Sequence, residues 1–287
     1  MSTAVDAPTA ADAHEGGIVV VRPDDLHPSA IGQFLALARR AIKGSARQGP
    51  MLIPSIMFPL FFVAINSSSF QKSLPLLRAN GYPKLNSFLT FTLAATVVQG
   101  VMFGSVQGAT DLATDIEGGF FERMIAAPAY RVTIVIGRLA GGVMIGVVQA
   151  LLFTAILMAF GARIAGGLPA AAVLVLSTTL LGLAFGGLLA AIAVRSGSAE
   201  VVQSCFPIVF ILLFMSAAFF PRETMRGWFK QVARFNPLTH IVEPLRELII
   251  NQWTAESALK AIAVPSVMSV VTVSLALAAL RSRLKAR

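Results

Sequence analysis

This sequence contains few of the residues on which protein chemistry usually depends. Its 287 residues include one cysteine, three histidines, two tryptophans and two tyrosines. The single cysteine, Cys205, excludes a disulfide framework within the chain, and no histidine has a partner at metal-ligand spacing. The phosphate-loop pattern Gly-x-x-x-x-Gly-Lys-Ser/Thr is absent, as are the His-Glu-x-x-His and Gly-x-Ser-x-Gly patterns of hydrolases. We therefore expect this chain to be neither an enzyme nor the holder of a cofactor or metal.

Charged residues are also scarce, at 13% of the chain, and the mean hydropathy is +0.76. Charge-free apolar stretches cover residues 51–66, 87–109, 139–160, 168–194, 201–220 and 261–280. A bilayer core about 30 Å thick takes roughly 20 apolar residues in a helix, and backbone groups in hydrocarbon must be satisfied within the segment. The sequence therefore predicts an all-α, polytopic membrane protein, with six transmembrane helices over residues 49–287.

The distribution of basic residues predicts the orientation in the membrane. The net charge is +9, which we assign to helix ends and anionic lipid rather than to nucleic acid. Lysine and arginine cluster before the first apolar stretch and at the C-terminus, so we expect both termini in the cytoplasm. One cluster conflicts with this topology, because it follows the fifth stretch on the predicted outside: Arg222, Arg226, Lys230 and Arg234.

The segment before the first span divides into two parts. Residues 1–28 are rich in Ala, Asp and Pro, and we expect a disordered cytoplasmic tail. Residues 29–48 predict an amphipathic interfacial helix, since apolar residues recur at helical spacing and basic residues lie elsewhere. Its candidate interface residues are Phe34, Arg39, Arg40 and Lys43. A helix packed on another protein is the alternative.

The loop at residues 111–131 combines acidic side chains with large apolar ones. Phe120 and Phe121 are each followed four residues later by an apolar residue, which predicts a short helix with an apolar stripe. Aromatic side chains surrounded by charge suit a groove on a partner protein. The loop is thus a candidate docking element; a capped turn that merely joins two spans is the alternative.

The segment at residues 221–250 predicts two short amphipathic helices separated by Asn236-Pro237. A pair of this kind before the last span suits a re-entrant hairpin that forms a lid over the outer end of a pathway. The candidate lid residues are Trp228, Phe229, Asn236, Pro237 and His240. A surface-lying pair that only anchors the fold is the alternative.

A possible substrate surface lies on the second and fifth spans. Its candidate residues are Gln99, Phe103, Gln203, Phe206, Phe210 and Phe214. An aromatic stripe of this kind suits a hydrophobic compound or a lipid tail, and the scarcity of Tyr and Trp disfavours a carbohydrate path. The alternative is that the phenylalanines face bulk lipid or a neighbouring helix.

Two segments carry a resemblance to a known family. The run Glu117-Gly-Gly-Phe-Phe-Glu-Arg-Met-Ile-Ala-Ala-Pro128, followed by Gly137-Arg138, resembles the coupling region of ABC-2 type transporter permeases. Phe220-Pro221 and Asn236-Pro-Leu-Thr-His-Ile-Val-Glu-Pro-Leu-Arg246 resemble the signature that precedes the last helix in these proteins. Within the superfamily the sequence is most similar to the daunorubicin-resistance permease group.

This resemblance implies a permease subunit of an ABC exporter. Two permeases, either two copies or this chain and a sibling, would form the pathway, and cytoplasmic ATPase subunits with ATP and Mg²⁺ would drive it. A coupling helix at about 115–127 would seat in the ATPase; the residues implied are Asp115, Glu117, Phe120, Phe121, Glu122, Arg123 and Met124. The substrate would be a hydrophobic drug or lipid-like molecule exported across the bacterial inner membrane. Alternatives are export of a lipid-linked glycan or polymer, and an ATP-independent carrier or scaffold.

Overall fold

The computed structural model describes residues 49–79, 81–120 and 131–285, and all regular structure within these ranges is helical. The longer helices are α1 (Gly49–Phe70), α3 (Phe88–Glu117), α4 (Arg131–Ala159), α5 (Gly167–Ser196) and α10 (Ala255–Lys285). The shorter ones are α2 (Leu74–Ala79), α6 (Ala199–Ser204), α7 (Phe206–Phe214), α8 (Gly227–Phe235) and α9 (Thr239–Ile250). The all-α prediction is confirmed, whereas the predicted tail 1–28 and interfacial helix 29–48 lie outside the described residues.

Five segments in the described part of the chain are long and apolar enough to cross a bilayer. They are Ile53–Ala79, Phe88–Glu117, Gly141–Ala159, Gly167–Ser196 and Ala255–Lys285. A shorter apolar segment, Ala199–Phe214, occupies the place of the predicted span at 201–220. The multi-pass architecture is therefore confirmed, with α6 and α7 together forming the sixth apolar element.

The apolar element formed by α6 and α7 is shorter and more irregular than the sequence suggests. It breaks at Cys205, just before Pro207, because proline has no N–H and its ring collides with the preceding turn of a helix. The helix then ends at Phe214, and residues 215–221 leave helical geometry, although 215–220 still belong to the predicted span. Irregular backbone at such a depth needs hydrogen-bond partners from elsewhere in the protein.

Helix α3 is the centre of the bundle, and glycines let its neighbours approach closely. A Cβ added to Gly100 would lie 1.9 Å from Cε2 of Phe153 in α4, and one added to Gly104 would lie 2.4 Å from Oε1 of Gln149. One added to Gly182 in α5 would lie 2.8 Å from a methyl group of Val101. The small-residue spacing on α3 therefore serves packing within the subunit.

Polar side chains join the spans across their packed faces. Ser105 Oγ of α3 donates to Gly182 O at 3.2 Å, and Gln149 Nε2 of α4 donates to Ser55 Oγ of α1 at 3.0 Å. Ser177 Oγ of α5 donates to Ala261 O of α10 at 2.7 Å, and Ser269 Oγ of α10 donates to Leu180 O at 2.6 Å. These bonds bring α1, α3, α4, α5 and α10 into one packed unit.

Candidate functional site

At one end of the bundle the carboxylate of Glu117 joins two apolar elements. Glu117 is the last residue of α3, and its Oε1 accepts a hydrogen bond of 2.8 Å from the backbone N–H of Ala199, the first residue of α6. The first N–H groups of a helix have no partner inside the helix and carry partial positive charge, so a carboxylate there is favourable. The end of α3 is thereby fastened to the start of the α6–α7 element.

The last turns of α5 and α10 lie at the same end. Gly197 ends α5 in the left-handed conformation, with φ of 65°, and a Cβ there would lie 3.3 Å from Nη1 of Arg283. Arg283 Nη1 donates to Val194 O at 2.7 Å, and Ile116 of α3 is also within contact distance of Gly197. The end of α3, the start of α6 and the ends of α5 and α10 therefore lie close together.

The structure describes only the first part of the predicted coupling helix at about 115–127. Asp115 and Glu117 form the last turn of α3, so they continue the span instead of beginning a separate helix. Gly118 and Gly119 then make a turn in which Gly119 has a positive φ of 68°, and half-buried Phe120 follows it. The other predicted contact residues lie outside the described residues: Phe121, Glu122, Arg123 and Met124.

At the opposite end, two residues of the Asn-Pro-Leu-Thr motif complete the backbone where α7 ends. Asn236 Nδ2 donates to Leu212 O at 2.7 Å, while its Oδ1 accepts from Leu238 N at 2.9 Å. Thr239 Oγ1 accepts from Ala217 N at 3.0 Å. The motif therefore supplies one hydrogen-bond partner to the last turns of α7 and one to the irregular segment 215–221. Asn236, predicted as part of a lid, is buried and holds this break together.

Arg246 completes the same arrangement, and sequence reasoning did not single it out. Its side chain is wholly buried; Nη1 donates to Ala217 O at 3.0 Å, Nη2 to Ala218 O, and Nε to Phe91 O at 3.2 Å. Its guanidinium also lies over the Phe91 ring. The signal was present in the sequence, because an arginine on the apolar face of a helix that also carries Val242 and Ile249 needs a specific partner.

The two helices predicted at residues 221–250 are present as α8 and α9. α8 exposes an apolar face on which Trp228 is 67% and Phe235 is 80% accessible, with Phe229 half-buried behind it. Arg226, Lys230 and Arg234 are all exposed on or beside this helix. A helix with one apolar face and one basic face is suited to lie parallel to the membrane at its interface with water. Such a placement accounts for the basic residues at this end of the bundle. Whether the pair re-enters the bilayer stays a prediction.

A polar cavity of about 630 Å³ lies beside α9 and the start of α10. Arg222 and Glu243 form an ion pair across it with an N–O distance of 3.4 Å, and Glu247 Oε2 accepts from Ser257 Oγ at 2.9 Å. His240 is exposed at this cavity, and its Nε2 lies 2.9 Å from Arg234 O. The cavity thus presents charges of both signs at the hairpin end of the bundle.

The predicted phenylalanine stripe of α7 faces neighbouring helices. Ring centroids of Phe206 and Phe103 are 5.0 Å apart, those of Phe210 and Phe58 are 5.9 Å apart, and those of Phe214 and Phe62 are 5.3 Å apart. The stripe therefore forms an aromatic cluster with α1 and α3; its members are Phe58, Phe62, Phe103, Phe206, Phe210, Phe214 and Phe219. A role in a substrate pathway stays a prediction.

The two glutamines predicted beside this stripe differ in their surroundings. Gln203 is exposed and outside the aromatic cluster. Gln99 lies one helical turn from Phe103 and is 1% accessible, and neither its Oε1 nor its Nε2 has a hydrogen-bond partner among the described residues. Burying an amide without partners is costly, which makes Gln99 the polar group of this region most in need of an outside partner.

The sequence is similar to known membrane transport proteins over most of its length. The family model described as ABC-2 type transporter matches residues 32–250. The daunorubicin resistance ABC transporter permease protein DrrB1 of Streptomyces coeruleorubidus is 30% identical over 222 residues, which cover 77% of this chain and 76% of that protein. The putative transport permease ycf38 of Cyanophora paradoxa is 26% identical over 236 residues, which cover 80% of this chain and 78% of that protein.

Proposed function

This chain belongs to the ABC-2 type transporter family, and from that premise we propose that it is the transmembrane permease subunit of an ATP-driven exporter. Cytoplasmic ATPase subunits bind ATP and Mg²⁺, and a second permease, either another copy or a sibling chain, completes the assembly. The substrate is a hydrophobic drug or a lipid-like molecule, which leaves across the bacterial inner membrane. The name of the Streptomyces relative, a daunorubicin resistance permease, supports this substrate class.

The contact between Glu117 and Ala199 carries the mechanistic part of the proposal. Glu117 is immediately followed by the Gly118–Gly119 turn that leads into the coupling segment, and its carboxylate holds the start of α6. ATP-driven movement of the ATPases displaces the coupling segment, and this hydrogen bond carries the displacement into the α6–α7 element. The packed helices then shift between two arrangements, as alternating access requires.

The aromatic cluster and Gln99 support a hydrophobic substrate with a polar group. The rings of α7 offer apolar contact area, and this short helix is flanked by Cys205 and by residues 215–221, which are not helical. Gln99 supplies a buried donor and acceptor one turn from Phe103. When α7 separates from α1 and α3, a polar group of the substrate would form hydrogen bonds with the side-chain amide of Gln99. The polar cavity beside α9 then receives the substrate at the outer end.

Purification of the tagged chain from its native membranes tests the assembly. In mild detergent with a non-hydrolysable ATP analogue, we expect a stoichiometric partner that contains a phosphate-loop motif, and mass spectrometry of the complex reports one or two kinds of permease. Reconstitution of that complex in liposomes should give ATP-dependent accumulation of a hydrophobic dye. Purification without any such partner, together with transport that ignores ATP, would establish the carrier alternative and overturn the proposal.

A further inference from the structure

Helices α5 and α10 run side by side but leave an open groove near their C-terminal ends. Their backbones come close at Gly187, where an added Cβ would lie 2.9 Å from Thr272 Oγ1 and 3.0 Å from Val273 N. Beyond that point a groove of about 430 Å³ opens on the bundle surface. Its walls are the exposed side chains of Leu188 and Leu275, and alanines of both helices form its floor.

A positively charged side chain, that of Arg195, lies at one end of this groove. Arg195 is in the last turn of α5 and lines the groove together with Ser282 of α10. Arg195 is exposed and makes no hydrogen bond or ion pair with another described residue. Arg283, close by, is different, because its Nη1 is occupied by Val194 O. The guanidinium N–H groups of Arg195 are therefore available to a ligand at the polar end of this apolar groove.

The geometry points to a phospholipid site: we propose that the groove binds an anionic glycerophospholipid of the adjacent leaflet. The last turn of a spanning helix lies at the depth of the lipid headgroups, where an arginine can meet a phosphate. Leu188 lies about 10 Å further along the helix, toward the bilayer centre, because each residue advances 1.5 Å. An acyl chain therefore lies along the alanine floor while the headgroup phosphate pairs with Arg195.

Both parts of the site are needed for this occupant. The apolar walls offer nothing to a free phosphate ion, and a zwitterionic lipid lacks the net negative charge that the unpaired arginine attracts. The groove is lined only by residues of α5 and α10, so it shares no residue with the aromatic cluster. It would therefore hold a structural or regulatory lipid rather than the transported molecule, and it stands whether or not the proposed substrate class is correct.

Native mass spectrometry of the purified full-length chain tests the site directly. The protein is given an equimolar mixture of phosphatidylglycerol and phosphatidylcholine, and the ratio of the retained lipids is measured. We expect phosphatidylglycerol to dominate, and Arg195→Gln to weaken its retention about fivefold, as for one arginine at a charged membrane surface. Ala278 is an exposed residue of the groove, and Ala278→Leu fills the groove without changing its charge. This variant should also weaken the retention of phosphatidylglycerol.

Arg281→Gln is the matched control, because Arg281 is an exposed arginine at the same end of α10 that does not line the groove. Retention should be unchanged in this variant, and soluble glycerol phosphate should not compete. Equal retention of the two lipids, an equal loss in the Arg195 and Arg281 variants, or full retention in Ala278→Leu would each overturn the proposal.

Discussion

Arg246 of α9 lies with its guanidinium carbon 3.9 Å from the centre of the Phe91 ring, and its Nε donates to the carbonyl oxygen of the same residue. Phe91 is in the first turn of α3, so this pair fastens the hairpin to the central helix. The two remaining guanidinium nitrogens hold the carbonyls of Ala217 and Ala218. One side chain thus joins α9, α3 and the irregular segment after α7.

Replacement of Arg246 should destabilise the protein strongly. Arg246→Met leaves the buried carbonyls of Ala217 and Ala218 without a donor, whereas Phe91 O keeps the backbone donor of its own helix. At roughly 1–3 kcal/mol for each carbonyl left without a donor, the loss should reach about 2 kcal/mol or more. Arg246→Lys should recover little, because one ammonium cannot reach all three oxygens and also stack on Phe91. The loss of stability is measured by thermal unfolding in detergent, monitored by size-exclusion chromatography. Arg226→Met, at an exposed position, is the control, and equal stability of the two methionine variants would contradict the assignment.

The contact between α3 and α4 at Gly100 can be tested with a compensating pair. A Cβ on Gly100 would overlap the Phe153 ring, so Gly100→Ala should cost about 1–3 kcal/mol of stability despite the better helix propensity of alanine. Gly142→Ala, in α4, meets nothing within 4 Å and should be neutral or slightly stabilising. Phe153→Leu should relieve the Gly100→Ala defect in a double-mutant cycle. Additive losses would show that the two residues do not share a contact.

The position of Glu117 predicts a defect in transmission rather than in ATPase binding. Glu117→Ala removes the acceptor for Ala199 N, so the ATPase should still co-purify while transport per ATP hydrolysed falls severalfold. Glu200→Gln is the control, since Glu200 is in the same first turn of α6 and is exposed. Loss of ATPase association in Glu117→Ala, with normal association in the control, would instead make Glu117 a direct docking residue.

The predicted topology can be read from single cysteines, because the chain has only Cys205 to remove. In a Cys205→Ala background, Lys230→Cys should react with a membrane-impermeant maleimide in intact cells, since Lys230 is exposed on the basic side of α8 at the hairpin end. Ser282→Cys, exposed at the other end, should react only after permeabilisation. The cysteine-free chain controls for background labelling. The reverse pattern would place the termini outside and would explain the arginines of α8 by the positive-inside rule.

The sequence by itself determined the class of the protein and its helical elements. The thickness of the bilayer sets how many consecutive apolar residues a spanning helix needs, and a backbone in hydrocarbon must make its hydrogen bonds within the segment, as a helix does. The membrane class and the helices can therefore be predicted from neighbouring residues along the chain. The break before Pro207 and the two helices around Asn236-Pro237 follow equally from local backbone chemistry. The resemblance to the family depended on short motifs and was confirmed by comparison over most of the chain.

Only the tertiary structure decided which side chains meet. Arg246 and Phe91 are 155 residues apart, and Glu117 is 82 residues from Ala199, so no sequence period could pair them. The glycines of α3 stand four residues apart in the sequence, which allows a close approach of another helix, but only the structure shows that Phe153 and Gln149 fill the space. The direction of the α7 phenylalanines likewise depended on where α1 and α3 lie. Helix formation depends on neighbours along the chain, whereas contact partners depend on how finished helices pack.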